Sequence, residues 1–541
     1  MFNNLHLPEL KLNENFSISL LQHSSLNFVL LAIFLILLFS WFSNFTNKAT
    51  TTNRSPPSPP KLPVIGNLHQ LGLHVHRSLQ SLAQQHGPLM LLHFGSVPVI
   101  VVSSAEVACE IMKTHDGIFT DRPKFTFFKK LFYNYKDILS APYGEYWRQI
   151  KSICVLNLLS NKRVRSFCVV REEETKSMIN NIQQVCSVSS SPSSSSSVLN
   201  LSEMFLTLTN DIVCRVALGR KYSDQGEGGR MFKELSVEFS ELMSRLNIGD
   251  YIPWLSWFSH VNGLNGKLDN LAKRFDDFLE MVVQEHMDCS KTVNGHGHVH
   301  IDNDDGRDFV DVLLWLQKEN ADVPGYPIDT ASIKAIILDM FAAGTDTTFT
   351  ALEWVMSELL RHPRVMKKLQ NEVRGIARNK TEITEDDLVG MHYLKAVIKE
   401  NLRLHPPAPL LVPRVSTQDV KINGYDIKAN TQVIVNAWTI GRDPKSYNNP
   451  EEFEPERFLN SAIDYKGDSF QYIPFGAGRR GCPGIQFALA VKEIALANLV
   501  HRFDWTLPVG VRGEDLDMSE STGASMHRKY PLKAVAIPYS C

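Results

Sequence analysis

Three short stretches hold the residues best able to do chemistry. In Phe475-Gly476-Ala477-Gly478-Arg479-Arg480-Gly481-Cys482-Pro483-Gly484, one cysteine follows a run of glycines and precedes a helical pattern. Glycines permit a tight loop, and backbone N–H groups, the positive end of the next helix and a nearby arginine favour thiolate over thiol. Such a sulfur is ready to ligate a metal; by itself the loop also fits a glycine-rich turn with a buried cysteine. Glu400 and Arg403 stand three apart on one helical face, where carboxylate and guanidinium can meet and Arg457 of Pro455-Glu456-Arg457-Phe458 can close a cluster. Ala343, Asp346 and Thr347 share a face at i, i+3 and i+4, with Gly344 permitting close approach or local distortion. A threonine hydroxyl beside a solvent-linked carboxylate can deliver protons.

These groups need a helical frame. Periodicity predicts helices over Leu201 to Leu218, Leu268 to His286, Phe309 to Lys318, Ile333 to Arg361, Arg364 to Ala377 and Tyr393 to Leu404. Strands are expected at His93-Phe94 and Val97 to Val102 around a turn, at Val420 to Ile422, at Gln432 to Asn436 and near the C-terminus. The fold class is therefore mainly α with a minor β part. The serine-rich run Ser187 to Ser197 and the Gly/His/Asp stretch Lys291 to Arg307 read as exposed loops, and His296, His298 and His300 as incidental polar residues rather than metal ligands.

At 541 residues, with 43% hydrophobic residues and Lys+Arg 56 against Asp+Glu 58, there is ample core material and no polyelectrolyte signature, so a nucleic-acid partner is not expected. Eight scattered cysteines without a CxxC pair argue against a disulfide framework or zinc ribbon. Leu26 to Phe42 is apolar apart from Asn27 and Ser40, close to the roughly 20 residues that cross a bilayer. No small-residue cleavage site follows, and Lys48, Arg54 and Lys61 lie beyond it against Lys11 alone before it, which places the large C-terminal part in the cytosol. The expected order is a lumenal tail over 1–25 with an acceptor triplet at Asn15, a transmembrane anchor over 26–45, a proline-rich hinge over 46–65 and a catalytic domain over 66–541.

The cysteine loop resembles the haem-binding signature F-x-x-G-x-R-x-C-x-G of the cytochrome P450 superfamily at every specified position, and further elements appear in family order. Glu400-Asn401-Leu402-Arg403 matches E-x-x-R, Pro455 to Phe458 matches PERF, Ala343-Gly344-Thr345-Asp346-Thr347-Thr348 matches the oxygen-binding helix, and Trp147-Arg148-Gln149-Ile150-Lys151 resembles W-R-x-x-R/K. Pro59-Pro60-Lys61-Leu62-Pro63 with Val64 to His69, and Ser152 to Val155, resemble plant A-type enzymes of the seventy-one clan.

The resemblance implies a P450 fold behind the anchor and a haem b whose iron is held by the Cys482 thiolate. It assigns haem contacts to Trp147, Arg148 or Lys151, Arg414, Phe475, Arg480 and Gly484, catalytic roles to Asp346 and Thr347, and a structural role to Glu400, Arg403 and Arg457. Candidate substrate contacts are Phe125, Phe127, Phe128, Phe132, Met340, Ala343, Ala408 to Val412 including Leu410 and Leu411, and Ala524; the phenylalanine spacing equally suits core packing. The implied activity is insertion of one oxygen atom from dioxygen into a small apolar specialised metabolite, a terpenoid or a phenolic of coumarin type. With no Rossmann glycine fingerprint in the chain, electrons are expected from NADPH–cytochrome P450 reductase on the endoplasmic reticulum membrane, docking at Arg148, Lys151, Lys162 and Arg163. An aldoxime-type dehydratase and a non-catalytic haem-binding membrane protein are the alternatives.

Overall fold

Helix-favouring residues dominate the middle of the chain, and without proline to interrupt them they build one very long helix. The computed structural model describes residues 28–38, 54–188, 198–222, 227–293, 307–323, 325–326, 328–378, 380–523 and 525–539. Five helices position the site: α1 (Glu145–Ile153), α2 (Leu201–Leu218), α3 (Thr330–Arg361), α4 (His392–Leu404) and α5 (Ile485–Arg502). The 32 residues of α3 span about 48 Å at the usual helical rise. Asp329 starts it by accepting from the Ser332 amide at 2.7 Å, a capping bond that satisfies a donor the helix itself cannot. From Ser332 to Asp339 and again from Thr348 to Leu360 it is buried, as expected of a helix apolar on most faces. Between these stretches, residues 342–347 are open or only half-buried. At this opening α2 crosses closely: a Cβ on Gly344 would come within 3.2 Å of Val213 Cγ2.

The main sheet is small and sits apart from the helical core. Its strands are β1 (Leu89–Phe94), β2 (Val97–Val102), β3 (Arg414–Val415) and β4 (Gln432–Val435), in the order β1-β2-β4-β3. β1 and β2 pair antiparallel with Leu89 opposite Val102, β4 lies parallel to β2, and Arg414 on β3 is opposite Val433. The valine and isoleucine runs of β2 and β4 suit strands flanked by packing on both faces. This sheet places Arg414 against the cysteine loop.

The predicted helices all form; Leu201–Leu218 keeps its expected bounds, and the others extend at one or both ends, as at Thr330, where Asp329 caps the start, and at Pro363, which occupies the first helical position. Asn423 and Gly424, both at positive φ, turn Val420–Ile422 back onto a partner strand, Tyr425–Ile427, that the strand pattern does not mark. Two widened turns, Glu110–Thr114 and Cys154–Leu158, have no periodic signal in the sequence. Residues 28–38 are helical and exposed. Among the described residues no helix is long and apolar enough to cross a membrane. The two ends of the expected span, the tail with Asn15, Lys11 and Lys48, most of the serine run, the three histidines and Ala524 lie outside the described residues.

Candidate haem-thiolate site

The cysteine loop is held by its own backbone and by Gly478, where a side chain has no room. Gly476 and Gly478 have φ of 69° and 67°, the left-handed region that costs other residues energy. A Cβ on Gly478 would lie 2.4 Å from the Met112 carbonyl and 2.5 Å from Asp116 Oδ1. The Cys482 amide donates to the Phe475 carbonyl at 3.0 Å, closing the loop, and Gly484 caps α5. Cys482 is exposed, yet protein surrounds its sulfur closely enough that burial, the largest influence, pushes the thiol up. The Gly484 N–H, Lys492 and Lys151 oppose this by favouring thiolate. Lys492, on α5, is itself 4% exposed; burial pulls its ammonium down to about 8, while the Cys482 charge acts in the opposite direction.

Behind the loop, Glu400 and Arg403 of α4 form a two-pronged ion pair with both bonds at 2.8 Å. Arg457 Nε donates to Glu400 Oε1 at 3.0 Å, as does the Glu454 amide at 2.8 Å. The remaining Arg403 donors reach the carbonyls of Gly441, Pro450 and Glu452. Side-chain exposure of Glu400 and Arg403 is 0%, so every charge here depends on its partners rather than on water. This is the cluster the sequence spacing foretells, and it ties α4 to the segment leading into the cysteine loop.

Three buried guanidinium groups gather beside that loop. Arg480 donates to the carbonyls of Thr120, Ile138 and Ala141, and lies 4.1 Å from the centre of the Trp147 ring. Trp147 of α1 donates to the same Ile138 carbonyl at 2.9 Å. Arg414 donates to Asp116 Oδ1 at 2.9 Å and to the Ala477 carbonyl at 2.6 Å. Arg122, which no sequence motif singles out, donates to the carbonyls of Leu139, Val412 and Pro413. Burial pulls Arg122 well below its usual range, with Arg480 and Arg414 adding repulsion, and pulls Arg480 down to about 10. Among the described residues neither Arg122 nor Arg480 has a carboxylate partner at ion-pair distance. The pocket thus carries positive charge that its own acids do not match.

Structure separates the two cations that the W-R-x-x-R/K resemblance left paired. Arg148 is exposed, with its guanidinium 5.8 Å from the centre of the Tyr143 ring, whereas Lys151 donates to the Arg479 carbonyl of the cysteine loop. The helix period explains this: Lys151 is one turn beyond Trp147 on the same face, and Arg148 is rotated away. Arg163, assigned to a docking face, is buried, its guanidinium 4.8 Å from the Phe167 ring centre, while Lys162 is exposed.

On the open face of α3, the Thr347 hydroxyl donates to the Ala343 carbonyl at 2.6 Å. Asp346 is half-exposed, and among the described residues it has no side-chain bond. About two turns earlier on α3, Asp339 is buried and accepts from the Ile138 amide at 2.6 Å. Burial and the neighbouring Asp137 push its carboxyl up, and burial pushes Asp137 up to about 6. Phe125, Phe128, Phe127 and Phe239 form a chain of ring contacts 5.2–6.2 Å apart, and Phe127, Phe128 and Met340 pack on the helical core. Phe132 is fully buried and belongs to that core. Leu410 packs on the main-sheet core with Tyr251, whose ring lies 6.0 Å from that of Phe125, and Leu411, at φ 52°, packs on the core beside the cysteine loop.

The cytochrome P450 family model matches residues 56–533. The chain is 67% identical over 517 residues to cytochrome P450 736A117 of Prunus mume, covering 95% of this chain and 96% of that relative. It is 56% identical over 472 residues to norfluorocurarine oxidase of a Strychnos species (87% and 90% covered). It is 54% identical over 481 residues to cytochrome P450 71A4 of Solanum melongena (89% and 92%). A solved zebrafish cytochrome P450 with abiraterone shares the fold at a TM-score of 0.72 and 24% identity, covering 87% of this chain and 100% of that one.

The chain belongs to the cytochrome P450 family. Within it, the chain is a plant A-type haem-thiolate monooxygenase. Its residues fit that cofactor: Cys482 offers the thiolate, and the charge of Arg122 and Arg480, which no carboxylate meets at ion-pair distance among the described residues, with Arg414 beside them, suits the two carboxylates of a haem. Arg122, Asp116 and Lys492 are not marked by any sequence pattern. Charged residues interrupting apolar runs are the only signal they offer, and that signal does not distinguish surface from interior.

Proposed function

We propose that the enzyme inserts one oxygen atom from dioxygen into a small apolar plant metabolite of terpenoid or coumarin-like phenolic type. Electrons come from NADPH–cytochrome P450 reductase, and the N-terminus anchors the chain in the endoplasmic reticulum membrane with the catalytic domain on the cytosolic side. The ring chain Phe125, Phe128, Phe127 and Phe239 is the observation that carries the substrate class. Aromatic and aliphatic surface favours an apolar guest and offers it few polar anchors. That one relative is named an oxidase supports the oxidative reading.

Haem, when bound, supplies reductive activation of dioxygen, and the thiolate favours O–O cleavage by pushing electron density toward the iron. The protein's part is to deliver protons. Thr347 keeps its hydroxyl on the Ala343 carbonyl at rest, and rotation about Cβ releases it to donate into the open stretch of α3. Asp346, half-exposed beside it, takes up protons from water and resupplies the hydroxyl.

The test is turnover of terpenoids and coumarins chosen by substrate-induced shifts of the haem spectrum. Product should require both NADPH with reductase and dioxygen, and should carry one atom of labelled oxygen. Product formed anaerobically without reductase would overturn this reading in favour of dehydration.

A further inference from the structure

A buried lysine lies on the sulfur side of the site, and the proton-delivery chemistry above makes no use of it. Lys492 is 4% exposed and, among the described residues, has no hydrogen bond or ion pair. Its Nζ sits 5.1 Å from the centre of the Phe475 ring, and Phe475 is the residue whose carbonyl accepts the Cys482 amide at 3.0 Å. The ammonium is therefore carried by α5 to the inner side of the cysteine loop. An isolated buried ammonium is strongly disfavoured unless a negative charge or an electron-rich face meets it. Here the ring supplies the face. Glu493, the adjacent residue on α5, and the Cys482 sulfur are the charges within reach, and Glu493 is itself pushed toward its neutral form by burial.

We infer that Lys492 is a positioning residue for haem reduction: its fixed positive charge, held on Phe475, lies beside the Cys482 thiolate and favours the ferrous state. Adding one electron to ferric haem–thiolate adds one negative charge to that unit, with no bond formed or broken; the electron comes from the flavin-type reductase that serves this family. A cation nearby stabilises the more negative state, so it raises the potential. The sign is fixed by charge alone. This inference rests on the haem-thiolate assignment.

The experiment uses purified haem-loaded enzyme, Lys492→Met, which keeps the stem and removes the charge, and Lys492→Arg, which keeps the charge. The ferrous–carbon monoxide spectrum reports the thiolate, and a dye-mediated dithionite titration reports the potential. Lys492→Met should keep the thiolate-type band while its ferrous-to-ferric ratio at a fixed potential falls about tenfold, equivalent to about 59 mV for one electron; Lys492→Arg should stay close to the parent. Loss of haem in Lys492→Met with retention in Lys492→Arg also supports a role for the charge. An unchanged potential in Lys492→Met, or loss of haem in both variants, overturns it and leaves a packing role. A parent enzyme without the thiolate-type band would instead refute the haem-thiolate assignment.

Discussion

The sulfur side and the oxygen side of this site are built on opposite plans. Around Glu400 and Arg403, donors are matched to acceptors and side chains are buried, and in the Cys482 loop a Cβ has no room at Gly478. Across the site, α3 is open over 342–347, Asp346 lacks a side-chain partner among the described residues, and the hydroxyls of Thr345, Thr348 and Thr350 are buried without one. Where one geometry must persist whatever substrate arrives, bonds are redundant. Where protons and substrates must move, spare donors and space are kept.

The largest effect that would test this contrast is expected from Arg403→Ala. It strands Glu400 in a fully buried place, a loss of about 3–5 kcal/mol, and should give protein without haem when pigment is measured against total protein. A full haem complement would break the comparison. Next, Gly478→Ala forces a side chain into 2.4 Å contact with the Met112 carbonyl at φ 67°. It should lower haem occupancy and cost roughly 1–3 kcal/mol in denaturant unfolding, whereas Gly484→Ala, whose new Cβ would meet only Cys482 Sγ at 4.0 Å, should unfold near the parent.

On the oxygen side the ranking by readout reverses. Thr347→Ala should leave unfolding unchanged, yet product formed per NADPH consumed should fall about tenfold or more. Thr348→Val removes a buried hydroxyl that has no partner and should be neutral or slightly stabilising, with coupling intact. Equal loss of coupling in both variants would show that the two threonines share the task. The smallest effect concerns the acids linking the two sides. Asp137 rises from 3.8 to about 6 on folding because burial penalises its charge. Its contribution to stability is therefore fully present below pH 3.8 and lost as pH rises through about 6. Asp137→Asn should flatten the fall in stability between these limits, measured as midpoint against pH.

Much of this architecture is legible in the amino-acid sequence alone. Periodicity marks the course of α2, α3 and α4, because amphipathic and apolar helices write their packing faces into the sequence at fixed intervals. Glu400 with Arg403, and Ala343 with Thr347, are readable for the same reason: helix geometry alone makes these pairs neighbours. The cysteine loop is readable because its glycines answer to local backbone constraints. Contacts between distant segments are not. That Arg122 joins Arg414 and Arg480, that Lys151 rather than Arg148 faces the cysteine loop, and that Lys492 ends near the sulfur all depend on how helices and strands stack. No local rule encodes those distances. The sequence by itself marked Cys482 as the candidate ligand, Glu400 with Arg403 as an ion pair and Thr347 as the candidate proton carrier; only the tertiary structure decided which buried charges surround them, because charge burial is a property of the packed whole.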